Sequence, residues 1–153
     1  MFHVKHSIFF EMRLIMNSFM NIAMNEAKIA YNEGNVPVGA VIVKNNEIIA
    51  SNHNKKNSSN ISVYHAELLC IIDACKKLNS WYLDECVMFV TLKPCKMCTA
   101  AIAESRMSKV YYLVESNYSE NMDNNISNIN FEKVNFNNEY SKLLSSFFEN
   151  IRK

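Results

Sequence analysis

Glycine and proline are scarce, with two of each in 153 residues. That excludes a collagen-like repeat or a flexible Gly/Pro-rich linker. No apolar run approaches the roughly 18 residues that a membrane-spanning helix needs. The short run Ile8-Phe9-Phe10 is flanked by His6, Glu11 and Arg13, with no small-residue cleavage site after it, so it does not read as a signal-peptide core. An excess of one charge is missing too: 16 basic and 15 acidic side chains leave a net +1. A protein held on nucleic acid by bulk charge is excluded, although a local basic patch is not. Cysteines number five, an odd count without secretory context. Their thiols are expected to be free or metal-bound, in a reducing compartment such as the cytoplasm.

The remaining composition is that of a globular chain, 49% hydrophobic and 20% charged. Its length suits one domain with a core that needs no disulfide. Residues 1–15 read as a disordered extension, and residues 16–153 as a single domain. A helix is expected from Ser18, capped by Ser18 or Asn17, with Met20, Ala23, Ala27 and Ala30 on one face. Gly34 is placed to end it. Val38–Lys44 and Glu47–Ser51 read as strands around an Asn45-Asn46 hairpin turn. Ser51–Tyr64 reads as loop and His65–Asn79 as a helix with Leu68, Ile71, Ile72, Cys75 and Leu78 inward. Then come a buried strand over Cys86–Leu92, a short helix over Cys95–Glu104 and a strand over Lys109–Glu115. A loop over Ser116–Asn128, an edge strand over Ile129–Val134 and an amphipathic helix over Asn138–Arg152 complete the chain. Alternating strands and helices predict an α/β fold of three layers, a mixed five-stranded sheet with helices on both faces.

Two segments carry chemistry, His65-Ala66-Glu67 and Pro94-Cys95-Lys96-Met97-Cys98. Each opens an expected helix. Cys95 and Cys98, three apart, share one helical face. One His and two Cys suit Zn²⁺, and three protein ligands leave a fourth tetrahedral position for water, the mark of a catalytic site. Glu67 is not needed as a ligand and is free to carry protons. Helix N-termini favour thiolate and hydroxide nearby. A lone Cys-x-x-Cys is weak evidence. Pro-Cys-x-x-Cys with His-x-Glu about thirty residues upstream is the recognised signature of zinc base deaminases.

With these motifs and with Asn35-Val36-Pro37-Val38-Gly39-Ala40-Val41, Asn54 and Val90-Thr91-Leu92, the chain resembles the bacterial tRNA-specific adenosine deaminases of the cytidine-deaminase-like superfamily. The resemblance runs from about Ser18 to the C-terminus. It implies that His65, Cys95 and Cys98 hold one zinc ion per subunit and that Glu67 shuttles protons. It implies that Asn54, Val38, Ala66 and Pro94 line the substrate pocket, Asn54 through a hydrogen bond to the nucleoside. The implied reaction converts adenosine to inosine at the first, wobble, anticodon position of a tRNA. The implied assembly is a homodimer whose subunits both shape the RNA groove.

The sequence departs from the family pattern at Lys93, where Glu is usual, at Leu113-Val114-Glu115-Ser116, and at Ile61-Ser62-Val63-Tyr64. Lys93 is expected to place a positive charge beside the metal. Lys55, Lys56, Lys93, Lys96, Arg106 and Lys109 are candidates for a phosphate-binding patch. Cys70, Cys75 and Cys86 read as core residues. His3, His6 and His53 have no partner legible from spacing. The rival reading is the same chemistry on a free nucleoside or on a base such as cytosine or guanine. A non-catalytic RNA-binding subunit is disfavoured because Glu67 is present.

Overall fold

The structure is a computed structural model, and it describes residues 2–116 and 128–152, with side chains described over 7–116 and 128–151. Five strands form one sheet: β1 (Gly39–Lys44), β2 (Glu47–His53), β3 (Cys86–Leu92), β4 (Lys109–Val114) and β5 (Asn130–Lys133), in the spatial order β2-β1-β3-β4-β5. β1 pairs antiparallel with β2 and β3, whereas β3–β4 and β4–β5 are parallel. Helices α1 (Phe2–Asn32), α2 (Lys56–Ser59), α3 (Ala66–Leu78), α4 (Lys96–Glu104) and α5 (Glu139–Arg152) complete the described elements. The mixed five-stranded α/β arrangement is the one expected. The loop expected over Ser116–Asn128 falls mostly on 117–127, outside the described residues.

The central strand explains the layering. Along β1, side chains alternate between faces. Ala40 and Ile42 join a core with Ala66, Cys70 and Ala74 of α3 and Ile102 of α4. Val41 and Val43 join a second core with Met20, Ala23, Met24 and Ala27 of α1 and Tyr140 of α5. A strand covered on both faces has no polar side to keep, so Gly39–Val43 is an unbroken run of small and apolar residues.

Local chemistry sets the turns. Asn45 and Asn46 both take positive φ, 51° and 62°, as a tight hairpin requires. Gly34 leaves α1 at φ 82°, and the Asn35 N–H reaches back to the Ala30 carbonyl at 2.9 Å. Gly39 is needed for another reason. A Cβ there would meet the Ala23 carbonyl oxygen at 1.9 Å and the Ala27 nitrogen at 2.6 Å, so α1 lies directly on the start of β1.

Four expectations change. α1 does not begin at Ser18. The helix already runs from Phe2, and the Ser18 hydroxyl donates to the Ile15 carbonyl within it, so the residue is no cap. Residues 2–15, read as disordered, are helical, with the side chains of 7–15 exposed. On α3 the buried residues are Ala66, Glu67, Cys70 and Ala74, while Ile72 is 45% exposed. Three of these four side chains are small, and the Cys70 thiol reaches the Ala40 carbonyl at 3.2 Å. Within the expected loop 51–64 lie the end of β2 and the single turn α2.

Candidate active site

The two motifs meet beside the C-terminal end of β3. His65 is the N-cap residue of α3 and Cys95 that of α4, both with extended backbone. Neither side chain makes a capping hydrogen bond, so both are left to point at each other. His65 Nδ1 lies 3.7 Å from Cys95 Sγ and 3.6 Å from Cys98 Sγ. All three donor atoms lie within 4.8 Å of one another. Tetrahedral bonds of about 2.3 Å to sulfur and about 2.0–2.1 Å to imidazole nitrogen put N and S about 3.6 Å apart. The donor set and its spacing therefore fit one zinc ion.

The electrostatics of the cluster follow from its packing. A hydrogen bond from the Cys98 thiol draws Cys95 down to about 4, with help from His65. Cys98 shifts the other way, first because it is the donor in that bond and then through burial. The bond to Cys95 raises His65. Glu67, in the first turn of α3 and 4% exposed, is pushed up to about 7 by burial. The site thus holds a ready thiolate, a second thiol beside it, and a carboxyl group poised to exchange a proton near neutrality.

The remaining predicted residues lie in the interior. Val38, Ala66 and Pro94 are buried, and Val38 and Ala66 share one core. Asn54 is buried, and its side chain already works for the fold: Nδ2 donates to the Val36 carbonyl at 3.1 Å, and Oδ1 accepts from the Lys56 N–H at 3.0 Å. One N–H of its amide and one lone pair of its oxygen remain for a ligand.

Lys93 does not do what its position suggests. Its ammonium pairs with Glu115 at 3.5 Å and sits over the rings of Tyr112 and Phe131, at 5.4 and 5.3 Å from their centroids. Its charge is thus met by a carboxylate and two aromatic faces of the β4–β5 side. Lys109 likewise pairs with Glu132, and Arg106 bonds the Ala103 carbonyl and lies over Trp81. Half of the expected phosphate patch is therefore engaged within the protein.

His53 has two partners that sequence spacing did not reveal: Glu26 of α1 at 2.6 Å and Glu33, in the turn just after α1, at 3.0 Å. Tyr140 was not singled out either. Its hydroxyl donates to the Pro37 carbonyl at 2.7 Å. A large polar aromatic in the first turn of an amphipathic helix was the available signal.

A profile of the MafB19-like deaminase family matches residues 16–152. The chain belongs to that family. It is 47% identical over 94 residues to a tRNA-specific adenosine deaminase of Aquifex aeolicus (strain VF5), an overlap of 61% of this chain and 62% of that one. The chain thus spans less than two thirds of that relative's length. Among solved structures, one from a study of A-to-I editing by tRNA:A34 deaminases at the wobble position superposes with a TM-score of 0.71 at 29% identity, covering 76% of this chain and 97% of the other. The guanine deaminase of Bacillus subtilis superposes with a TM-score of 0.61 at 30% identity, covering 88% and 92%. The family assignment agrees with the motifs quoted above. Among the described residues, no helix is long and apolar enough to cross a membrane.

Proposed function

We propose that the protein is a zinc-dependent hydrolase that deaminates adenosine to inosine at the wobble position of a tRNA anticodon. The observation that carries this reading is the convergence of His65, Cys95 and Cys98 next to the buried Glu67. The name of the Aquifex relative and the TM-score of the A34-deaminase structure support the choice of substrate.

His65, Cys95 and Cys98 would hold the metal. Bound there, zinc would supply hydroxide near neutral pH. Glu67 takes one proton from water and gives it to the ring nitrogen next to C6 as the water oxygen bonds to C6. It then carries the second proton from the new C6 hydroxyl to the amino group, the C6–N bond breaks, and the products are inosine and ammonia. Asn54 offers its spare N–H to the nucleoside. Val38, Ala66 and Pro94 wall the base. An adenosine reaches such a pocket at least cost from a single-stranded loop, where little stacking is lost. In this reading residues 16–153 are the deaminase domain, residues 1–15 an extension, and the working form a cytoplasmic homodimer binding one anticodon stem-loop per site.

A second reading, a deaminase of guanine or another free base, has a specific observation in its favour. The guanine deaminase structure covers more of this chain than the A34-deaminase structure does, 88% against 76%. One experiment separates them: ammonia release by the zinc-loaded protein from an adenosine-bearing anticodon stem-loop, from free adenosine, and from guanine and cytosine. Turnover of the stem-loop alone is expected. Turnover of guanine or cytosine with an inert stem-loop overturns the tRNA assignment.

A further inference from the structure

The segment Val36-Pro37-Val38 joins α1 to β1, and every carbonyl in it has a donor. The Val36 carbonyl accepts from Asn54 Nδ2 at 3.1 Å and from the Val38 N–H at 2.8 Å. The Val38 carbonyl accepts from the Asn54 N–H at 3.0 Å. The Pro37 carbonyl accepts from the Tyr140 hydroxyl at 2.7 Å, across 103 positions of sequence. Proline has no N–H, so this carbonyl is the only hydrogen-bonding group of its backbone. The segment then enters β1 through the Gly39 N–H, which donates to Thr91 Oγ1 at 3.2 Å. Thr91 belongs to β3, the strand that leads to Pro94 and Cys95.

Tyr140 is 1% exposed, and burial pushes its phenol well above the usual tyrosine range, so it stays protonated and remains a donor. A buried carbonyl stripped of its donor is left without solvation, which it recovers by admitting water or by tilting away. Either response moves Val38. Anchoring α5 does not depend on this bond alone. Tyr31 and Ser146 join their hydroxyls at 3.1 Å, Asn150 Nδ2 donates to the Tyr31 hydroxyl at 3.0 Å, and Lys28 pairs with Glu139 at 2.6 Å. The fold thus offers one α5 tether that ends on the wall segment and others that do not.

We infer that Tyr140 is a positioning residue: by holding the Pro37 carbonyl, its hydroxyl fixes Val38 as the wall against which the substrate base rests. This rests on the deaminase reading, in which Val38 lines the base pocket. The residues assigned to chemistry lie at the starts of α3 and α4, and among the described residues the Tyr140 hydroxyl donates to the Pro37 carbonyl and to none of them. Loss of the hydroxyl therefore weakens substrate binding and leaves the chemical step nearly intact.

The test compares Tyr140→Phe with Tyr31→Phe in the full zinc-loaded chain. Deamination of whichever substrate the wild type turns over is measured, with zinc content, melting temperature and hydrogen exchange at the Val38 and Gly39 amides. For Tyr140→Phe, KM is expected to rise about tenfold, the equivalent of one buried hydrogen bond. Its kcat should stay within about twofold and its zinc content should be unchanged. Exchange at both amides should be faster. Tyr31→Phe should lower the melting temperature while leaving KM and the two amides as in the wild type. An unchanged KM in Tyr140→Phe, or an equal rise in Tyr31→Phe, overturns the inference. So does a Tyr140→Phe chain that cannot fold or take up zinc, because the hydroxyl would then serve the whole domain. A wild type inert on every substrate defeats the deaminase reading instead. The amide exchange then decides the tether, and equal protection in both variants defeats it.

Discussion

Glu67 is the residue on which the proposed chemistry turns. It is buried beside His65 and Cys98 and carries no salt bridge among the described residues. Glu67→Gln keeps the volume and removes the proton carrier. The variant is expected to fold and to bind zinc at wild-type stoichiometry, while kcat falls by about 10²–10⁴-fold, the usual share of general acid–base catalysis. Measured zinc content beside unchanged turnover would remove Glu67 from the mechanism. The ligands and Glu67 were legible in the sequence because metal and proton chemistry demand fixed residue types at fixed spacing. Lys93 was read from its neighbour in sequence, Pro94, whereas its charge is met by Glu115, Tyr112 and Phe131. His53 and Tyr140 gave no such signal. Their partners lie 20, 27 and 103 residues away, and none of these pairs belongs to a motif of fixed residue types.

Among the elements, α1 lies directly on β1, and one glycine makes the joint possible. Gly39→Ala drives a Cβ into the backbone of α1 at Ala23 and Ala27, where no side chain can swing aside. The helix would have to lift from β1 and from the second core. A loss of about 3 kcal/mol or more is expected, at the upper end of the cost of overpacking, with an unaltered hairpin. Chemical denaturation measures it, and a change below about 0.5 kcal/mol would show that the helix moves freely. The strands were readable because both faces of β1 and β3 are buried, which leaves apolar runs. Helix boundaries were harder. Asn17 and Ser18 have the chemistry of caps, yet the chain on either side is helical, and a capping residue inside a helix turns its hydroxyl back to the preceding turn. α2 has only four residues, too few for a period to be seen.

At the scale of the molecule, the metal cluster depends on the sheet rather than on either motif. α3 and α4 lie on one face, α1 and α5 on the other, and the pairing of β1 with β3 joins the strands that carry the shared core of α3 and α4. The metal ligands are therefore gathered from positions 30 and 33 residues apart. Closing loops of that length removes conformational freedom from the unfolded chain, so bound zinc is expected to stabilise the fold as well as to serve the reaction. A strong chelator should abolish turnover and lower the melting temperature, and added Zn²⁺ should restore both. Activity that survives complete removal of metal would exclude the proposed chemistry.

The two helices whose first turns hold this cluster give up something for it. At their N-cap positions stand His65 and Cys95, neither of which caps. A serine or aspartate there would satisfy an orphan N–H and is worth about 0.5–2 kcal/mol. The most useful residues of the chain thus occupy positions where self-interest of the fold would choose others, a trade of rigidity for reactivity. In the metal-free protein, Cys95→Ser should raise the melting temperature by about 2–4 °C. The same change should leave the zinc-loaded protein weaker and inactive, so a single atom exchange would reverse sign with the metal.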